Sequence, residues 1–241
     1  MQIKTKAIVL TSIKYGEADL IVKCLTEEGV KSYLIRSIFR SKSKKLQIGY
    51  FQPLSQLEIS AFHNNKGNLN KMSEARVSYL YTSIGSNVYK QSIALFLSEC
   101  LAYALREEER NPALFEYIET SFKWLDQHDS YANFHLIFLW YLSKFLGIFP
   151  DLEGNNNNYF NLDEGSFNEL KPLGNYLSGD KLILFKSIIG IKFDDMQGLK
   201  WSSESRNQVL EIVLKYYELH LPGFKKPRSL KVLKEVFNEV S

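Results

Sequence analysis

Apolar residues along the first eighty positions recur at every second place, and from about Ile84 they recur at every third or fourth. The first pattern predicts strands over residues 2–13, 20–26, 30–36, 54–62 and 68–74. Turn chemistry separates them: Gly16 within Lys14–Asp19, Glu27-Glu28-Gly29, and Asn64-Asn65-Lys66-Gly67. Pro53 stands at the mouth of the fourth strand, where it removes no interior ladder bond. Five short strands with tight turns and one long loop after the third predict a small antiparallel barrel. An OB-type barrel is the first candidate, and an SH3-like barrel has much the same pattern.

The second pattern predicts helices. Ile93, Phe96, Leu97, Leu101 and Leu105 share one face. Asn111-Pro112 reads as a helix start, with Asn capping free backbone donors and Pro where its missing N–H is harmless, and Leu114, Phe115, Ile118, Phe122 and Leu125 form the stripe that follows. Residues 130–146, apolar nearly all round and stopped by Gly147, predict the buried centre of a bundle. Residues 151–179, with asparagines at 155–158, predict an irregular insertion. Helical patterns return at 180–189, 203–221 and 229–240. The fold class expected is α+β: a five-stranded OB-type barrel at 1–80, then an all-α helical domain at 81–241.

Composition changes this picture in one respect. The net charge of +3 conceals an asymmetry: residues 1–80 hold 13 Lys and Arg against 6 Asp and Glu, and the remainder 17 against 21. A small basic half suggests a polyanionic partner. The charge concentrates between Lys31 and Lys45, where six basic residues and no acidic one are interleaved with Tyr33 and Phe39. Tyr33 and Ile35 fall on one strand face and Leu34 and Arg36 on the other, with a loop beginning near Ser37. Cations so crowded need water or a polyanion, and a nucleic acid backbone supplies the anions. Tyr33 and Phe39 are candidates for base stacking. Lys225, Lys226, Arg228 and Lys231 form a second basic patch, read either as an accessory anion site or as a solvated helix start.

Chemistry of other kinds is not signalled. The chain has no phosphate-binding glycine loop, zinc-protease helix or nucleophile elbow; its four histidines are scattered, and Asp194-Asp195 reads as a surface turn. No catalytic residue, metal site or cofactor is expected. Cys24 and Cys100 are far apart and suit a reduced, cytoplasmic setting. Residues 132–149, interrupted by His135 and Lys144, read as a buried helix, and Gln2-Ile3-Lys4-Thr5 already alternates like a strand, so no leader is expected.

Several segments, taken in order, resemble the RecO family of bacterial recombination mediators. They are Tyr15-Gly16-Glu17-Ala18-Asp19, Leu25-Thr26-Glu27-Glu28-Gly29, the run from Ile35 to Lys44, Phe51-Gln52-Pro53-Leu54, Leu97-Ser98-Glu99-Cys100-Leu101, Asn111-Pro112-Ala113-Leu114-Phe115, and the run from Phe145 to Leu152. The resemblance implies an OB fold followed by a helical domain without enzymatic activity, in a cytoplasmic, nucleoid-associated protein. It further implies binding of single- and double-stranded DNA, annealing of complementary strands, and loading of RecA with RecR onto DNA coated by single-strand binding protein. On the basic loop it assigns Arg36, Arg40, Lys42, Lys44, Lys45 and Lys31 to phosphate. Many members of the family carry a four-cysteine zinc site after the segment matching Gly147 to Leu152. Here Glu153-Gly154, four asparagines and Tyr159-Phe160-Asn161-Leu162 follow. Zinc is not expected, and packing of Tyr159, Phe160, Leu162 and Phe167 is expected to replace it. For the acidic, apolar-ended tail of single-strand binding protein, Leu101, Leu105 and Phe115 with Lys123 or Lys144 are the expected groove. The rival reading is a scaffold whose basic barrel meets an acidic protein, and an unrecognised enzyme is a third.

Overall fold

A computed structural model describes residues 2–40, 45–63, 69–105, 110–198 and 201–238. Strands β1 (Gln2–Tyr15), β2 (Asp19–Thr26), β3 (Gly29–Ile35), β4 (Gln56–Phe62) and β5 (Asn70–Tyr79) close a barrel in the order β1-β2-β3-β5-β4. β1 hairpins to β2 and β2 to β3, while β4 returns to the free edge of β1. β5, antiparallel to β4, then meets β3 running the same way, with Tyr33 beside Asn70 and Leu34 beside Lys71. This corrects the all-antiparallel expectation: once β4 lies against β1, only the edge of β3 remains, and it faces β5 in parallel. Such a Greek-key path is that of an OB-type barrel.

Alternation sets the barrel core. Ala7, Val9, Leu20, Val22, Cys24, Tyr33, Ile35, Leu57, Ile59, Ala61 and Met72 fill it. β4 starts two residues later than expected because Leu54 has φ +61, outside the extended region. The register of β1 shifts between Val9 and Thr11. Ile8 and Leu10, on the outer side, are also buried, on the strand against which α1 (Val88–Ala104) packs.

By packing, the chain forms two compact units, Met1–Gln127 and His128–Ser241. The first contains the barrel, α1 and α2 (Pro112–Gln127). Asn87 Oδ1 accepts from the N–H of Tyr89 and Lys90 to start α1, and Asn111 Oδ1 accepts from the N–H of Leu114 at 2.9 Å to start α2. Polar bonds fasten the helices to the barrel: Lys23 Nζ donates to Ala102 O at 2.8 Å, Gln56 Nε2 to Glu119 O at 2.9 Å, and Lys6 pairs with Glu119 at 3.1 Å.

The second unit is built on α3 (Phe134–Phe145), whose residues from Phe134 to Trp140 are all buried, and on α5 (Ser203–His220), whose Tyr217 hydroxyl donates to Leu139 O at 2.6 Å. α4 (Gly179–Lys186) and α6 (Leu230–Asn238) complete its helices. Within residues 151–179, expected as an irregular insertion in an all-α region, three short strands occur. β6 (Tyr159–Asn161), β7 (Ser166–Asn168) and β8 (Tyr176–Leu177) form a sheet in the order β7-β6-β8. Phe160 anchors it, 4.8 Å from the Phe167 ring and 4.6 Å from Phe185, and Asp163 clasps Asn175 through its backbone and side-chain N–H groups, both at 2.8 Å. These strands are too short for alternation to reveal them. Among the described residues no helix is long and apolar enough to cross a membrane.

Candidate nucleic-acid interface

The basic segment leaves the barrel at the end of β3. Tyr33 and Ile35 point inward, and Arg36 emerges into solvent and forms no ion pair among the described residues. Ser37 takes φ +55, and its N–H donates to Asp19 Oδ1 at 2.7 Å. Phe39 N–H donates to Ala18 O at 3.2 Å, and Arg40 pairs with Glu17. Residues 37–40 are thereby clamped onto the β1–β2 turn, where Gly16 at φ +58 makes the reversal. Ile38 is the loop's own anchor, 7% exposed within the barrel core cluster. The far end is fastened too: Ala75 N–H donates to Lys45 O at 3.0 Å, and the Lys45 amine pairs with Glu74. That contact holds the Glu74 carboxyl below its ordinary range.

The phosphate candidates therefore divide. Arg36, Arg40 and Lys45 surround the loop, and Lys42 and Lys44 lie outside the described residues. Lys31 is five positions back along β3, about 17 Å from Arg36 at strand rise, and is half-buried. There its charge, after burial, holds the pKa of His63 down.

The two aromatics separate more sharply. Phe39 is 43% exposed, with the Lys14 amine 5.5 Å from its ring centre. Tyr33 is wholly buried, its hydroxyl 2.9 Å from His63 Nε2, so no base stacks on it in this conformation. That correction follows from the strand faces, since the side that carries Ile35 is the barrel interior.

The expected peptide groove is not assembled. Leu101, Leu105 and Phe115 are buried at 0%, 6% and 5% exposure; Lys123 pairs with Glu119 at 3.4 Å. Lys144 belongs to the other unit and lies over the rings of Tyr141 and Phe149. A stripe that alternates at three and four identifies a core face as readily as a groove, and here it is core. An open groove of about 1020 Å³ instead lies along α5 in the second unit, lined by Leu162, Leu177, Ile212, Lys181 and Lys215 among others. Of the second basic patch, Lys226 pairs with Glu211 at 2.7 Å and Lys231 with Glu235 at 3.8 Å, leaving Lys225 and Arg228 exposed without an ion pair among the described residues. Sequence reasoning did not bring Lys14 of the β1 end to the loop, where its amine lies over Phe39.

A family model for the N-terminal part of Recombination protein O matches residues 1–81, and one for its C-terminal part matches residues 86–230. The chain belongs to the RecO family. It is 46% identical over 239 residues to the DNA repair protein RecO of Flavobacterium psychrophilum, covering 99% of this chain and 100% of that protein. The RecO protein of Flavobacterium johnsoniae is 44% identical over the same shares, and that of Christiangramia forsetii is 42% identical over 98% and 100%.

The zinc site carried by many RecO proteins does not fit this member. Its two cysteines, Cys24 and Cys100, are both buried in the first unit, and residues 147–167 contain none. At residues 159–167 the space between the short strands is filled by Phe160, Leu162 and Phe167, all under 8% exposed, and Tyr159 meets Tyr176 edge to face at 5.8 Å.

Proposed function

We propose that this RecO chain is a recombination mediator that binds single- and double-stranded DNA through the loop after β3, anneals complementary strands, and with RecR loads RecA onto single strands covered by their binding protein. The observation that carries this reading is the loop itself, a basic run tied at both ends to an OB-type barrel that presents Arg36 and Phe39 outward. Phosphates take Arg36, Arg40, Lys42, Lys44 and Lys45. Neutralising them lowers the repulsion that keeps two backbones apart, and annealing requires that approach. Phosphate contacts carry no base information, so binding is indifferent to sequence. Phe39, with Lys14 above it, offers a ring to one base.

The tail of single-strand binding protein would lie along the groove on α5, where Lys181 and Lys215 meet its carboxylates. The second reading, an acidic protein partner for the barrel, is favoured by one observation: Arg40 and Lys45 already hold the carboxylates Glu17 and Glu74. Fluorescence anisotropy with a labelled single strand, against an acidic polypeptide of equal charge and over a salt series, tests both. Four phosphate contacts predict a log–log salt slope of roughly −3 for the single strand. Preference for the polypeptide would favour the scaffold.

A further inference from the structure

The connection from β7 to β8 carries two leucines into water. Leu170 is 84% and Leu173 94% exposed, at a place where a surface loop ordinarily presents polar side chains. The loop is nevertheless fixed at its root. Asp163 accepts from the backbone and side-chain N–H groups of Asn175, and Leu162 N–H donates to Asn175 O at 2.8 Å. Gly174, at φ +80, lies so close that a Cβ there would strike the Asp163 carboxylate. Pro172 restricts the backbone between the leucines, and Lys171 turns back so that its amine lies 5.3 Å from the centre of the Tyr176 ring. The result is a preorganised prong with an apolar tip, which loses little conformational freedom on docking.

Charge indicates what receives it. Between Tyr159 and Leu177 the chain holds Asp163, Glu164 and Glu169, all exposed, against Lys171. Such a rim repels a phosphodiester or an anionic lipid surface and suits a protein pocket edged by cations. The same unit contains a pocket of that kind. The groove along α5 includes Tyr176, just beyond the prong, and its edge carries Lys181 and Lys215, neither in an ion pair among the described residues. Its carboxylates are already engaged: Glu211 pairs with Lys226 at 2.7 Å and with Lys234 at 2.5 Å, and Glu204 accepts from Gln208 Nε2 at 3.2 Å. Prong and groove adjoin at Tyr176, so a twofold axis between two copies lets each insert into the other.

We propose that the second unit self-associates by this exchange: Leu170 and Leu173 of each copy enter the α5 groove of the other, and Glu169 meets Lys181 and Lys215. The leucines lie against Tyr176 and the alkyl stems of the two lysines. Self-docking fills the groove proposed for the tail of single-strand binding protein, so the two occupants exclude one another. The proposal stands on the prong and the groove, and depends neither on tail binding nor on the DNA reading.

The test is sedimentation velocity of the full chain from about 5 to 500 μM, since two small reciprocal contacts predict a weak dimer. Wild type is expected to pass from monomer to dimer across the series. Leu170→Ser/Leu173→Ser, which alters only side chains already in water, is expected to weaken pairing about a hundredfold or more. Lys181→Glu/Lys215→Glu sets like charges against Glu169 and is expected to weaken it about tenfold to a hundredfold. Adding Glu169→Lys to that lysine variant reverses both sides of the contact and is expected to restore the dimer. Circular dichroism checks that each variant is folded. A wild type that stays monomeric throughout, a folded serine or lysine variant that pairs like wild type, or a charge-reversed triple variant that stays monomeric would each overturn the proposal.

Discussion

Asp126 is the carboxylate on which the junction between barrel and helices turns, and replacing it by Asn isolates that role. It is 3% exposed near the end of α2. Oδ2 accepts from Thr82 N–H at 2.9 Å and Thr82 Oγ1 at 3.0 Å; Oδ1 accepts from the N–H of Ser83 at 2.8 Å and of Ile84 at 3.0 Å. Lys90, itself buried, completes the cluster by donating to Ser83 Oγ at 2.7 Å and Asp126 O at 3.2 Å. In Asn one oxygen becomes an NH₂ group, and either orientation turns it against two donors. Each stranded buried donor costs about 1 to 3 kcal/mol, so Asp126→Asn is expected to lose roughly 3 to 4 kcal/mol at pH 7. That is a large share of an ordinary domain's stability. Burial alone would raise the Asp126 pKa, but the Thr82, Ile84 and Ser83 donors outweigh it and leave the pKa below its ordinary 3.8. The folded state thus favours the carboxylate. Its contribution is complete above about pH 4 and is lost as pH falls through the folded value. Urea unfolding followed by circular dichroism should show the gap between wild type and Asp126→Asn at pH 7 and its narrowing below pH 4. A gap under about 0.5 kcal/mol at pH 7, or one that stays constant in acid, would refute the reasoning.

The loop variant Arg40→Ala/Lys42→Ala/Lys44→Ala/Lys45→Ala should bind single- and double-stranded DNA more weakly, with a single-strand salt slope flatter by up to about 3; an unchanged slope would move the DNA elsewhere. Glu17→Gln and Glu74→Gln release Arg40 and Lys45 and should each tighten single-strand binding by about twofold, measured by anisotropy against Glu116→Gln, an exposed carboxylate on α2, as the control for net charge. His135 is buried, and burial, then Arg206, lowers its pKa from 6.5 to about 3. The fold therefore favours neutral imidazole, and stability falls as pH drops from 6.5 towards 3, by roughly 4 to 5 kcal/mol in all. His135→Leu should flatten that limb in denaturation midpoints taken across this range.

Much of the barrel was legible because alternation reports which side chains share a face. The inward set from Leu20 to Ile35 and the emergence of the loop at Ser37 follow from it. Asn111-Pro112 was legible because a capping side chain and a missing N–H act within one turn. The small sheet at 159–177 was not, since strands of two or three residues hold too few positions for a period. Tyr33 misled because a face says nothing of which side is wet: its ring shares a side with Ile35, and that side closed over it. Leu101, Leu105 and Phe115 misled in the same way.

By itself the sequence determined the two periodicities, the place of the basic run and the lack of cysteines for a zinc site, all properties of residues close along the chain. Only the tertiary structure decided that β5 lies parallel to β3, that α1 and α2 pack with the barrel, that Glu17 and Glu74 hold the loop's cations, and that Leu170 and Leu173 stand out from a clasped loop beside the α5 groove. Those facts depend on which distant segments become neighbours. Local pattern specifies a surface, and closure of the barrel selects its partner.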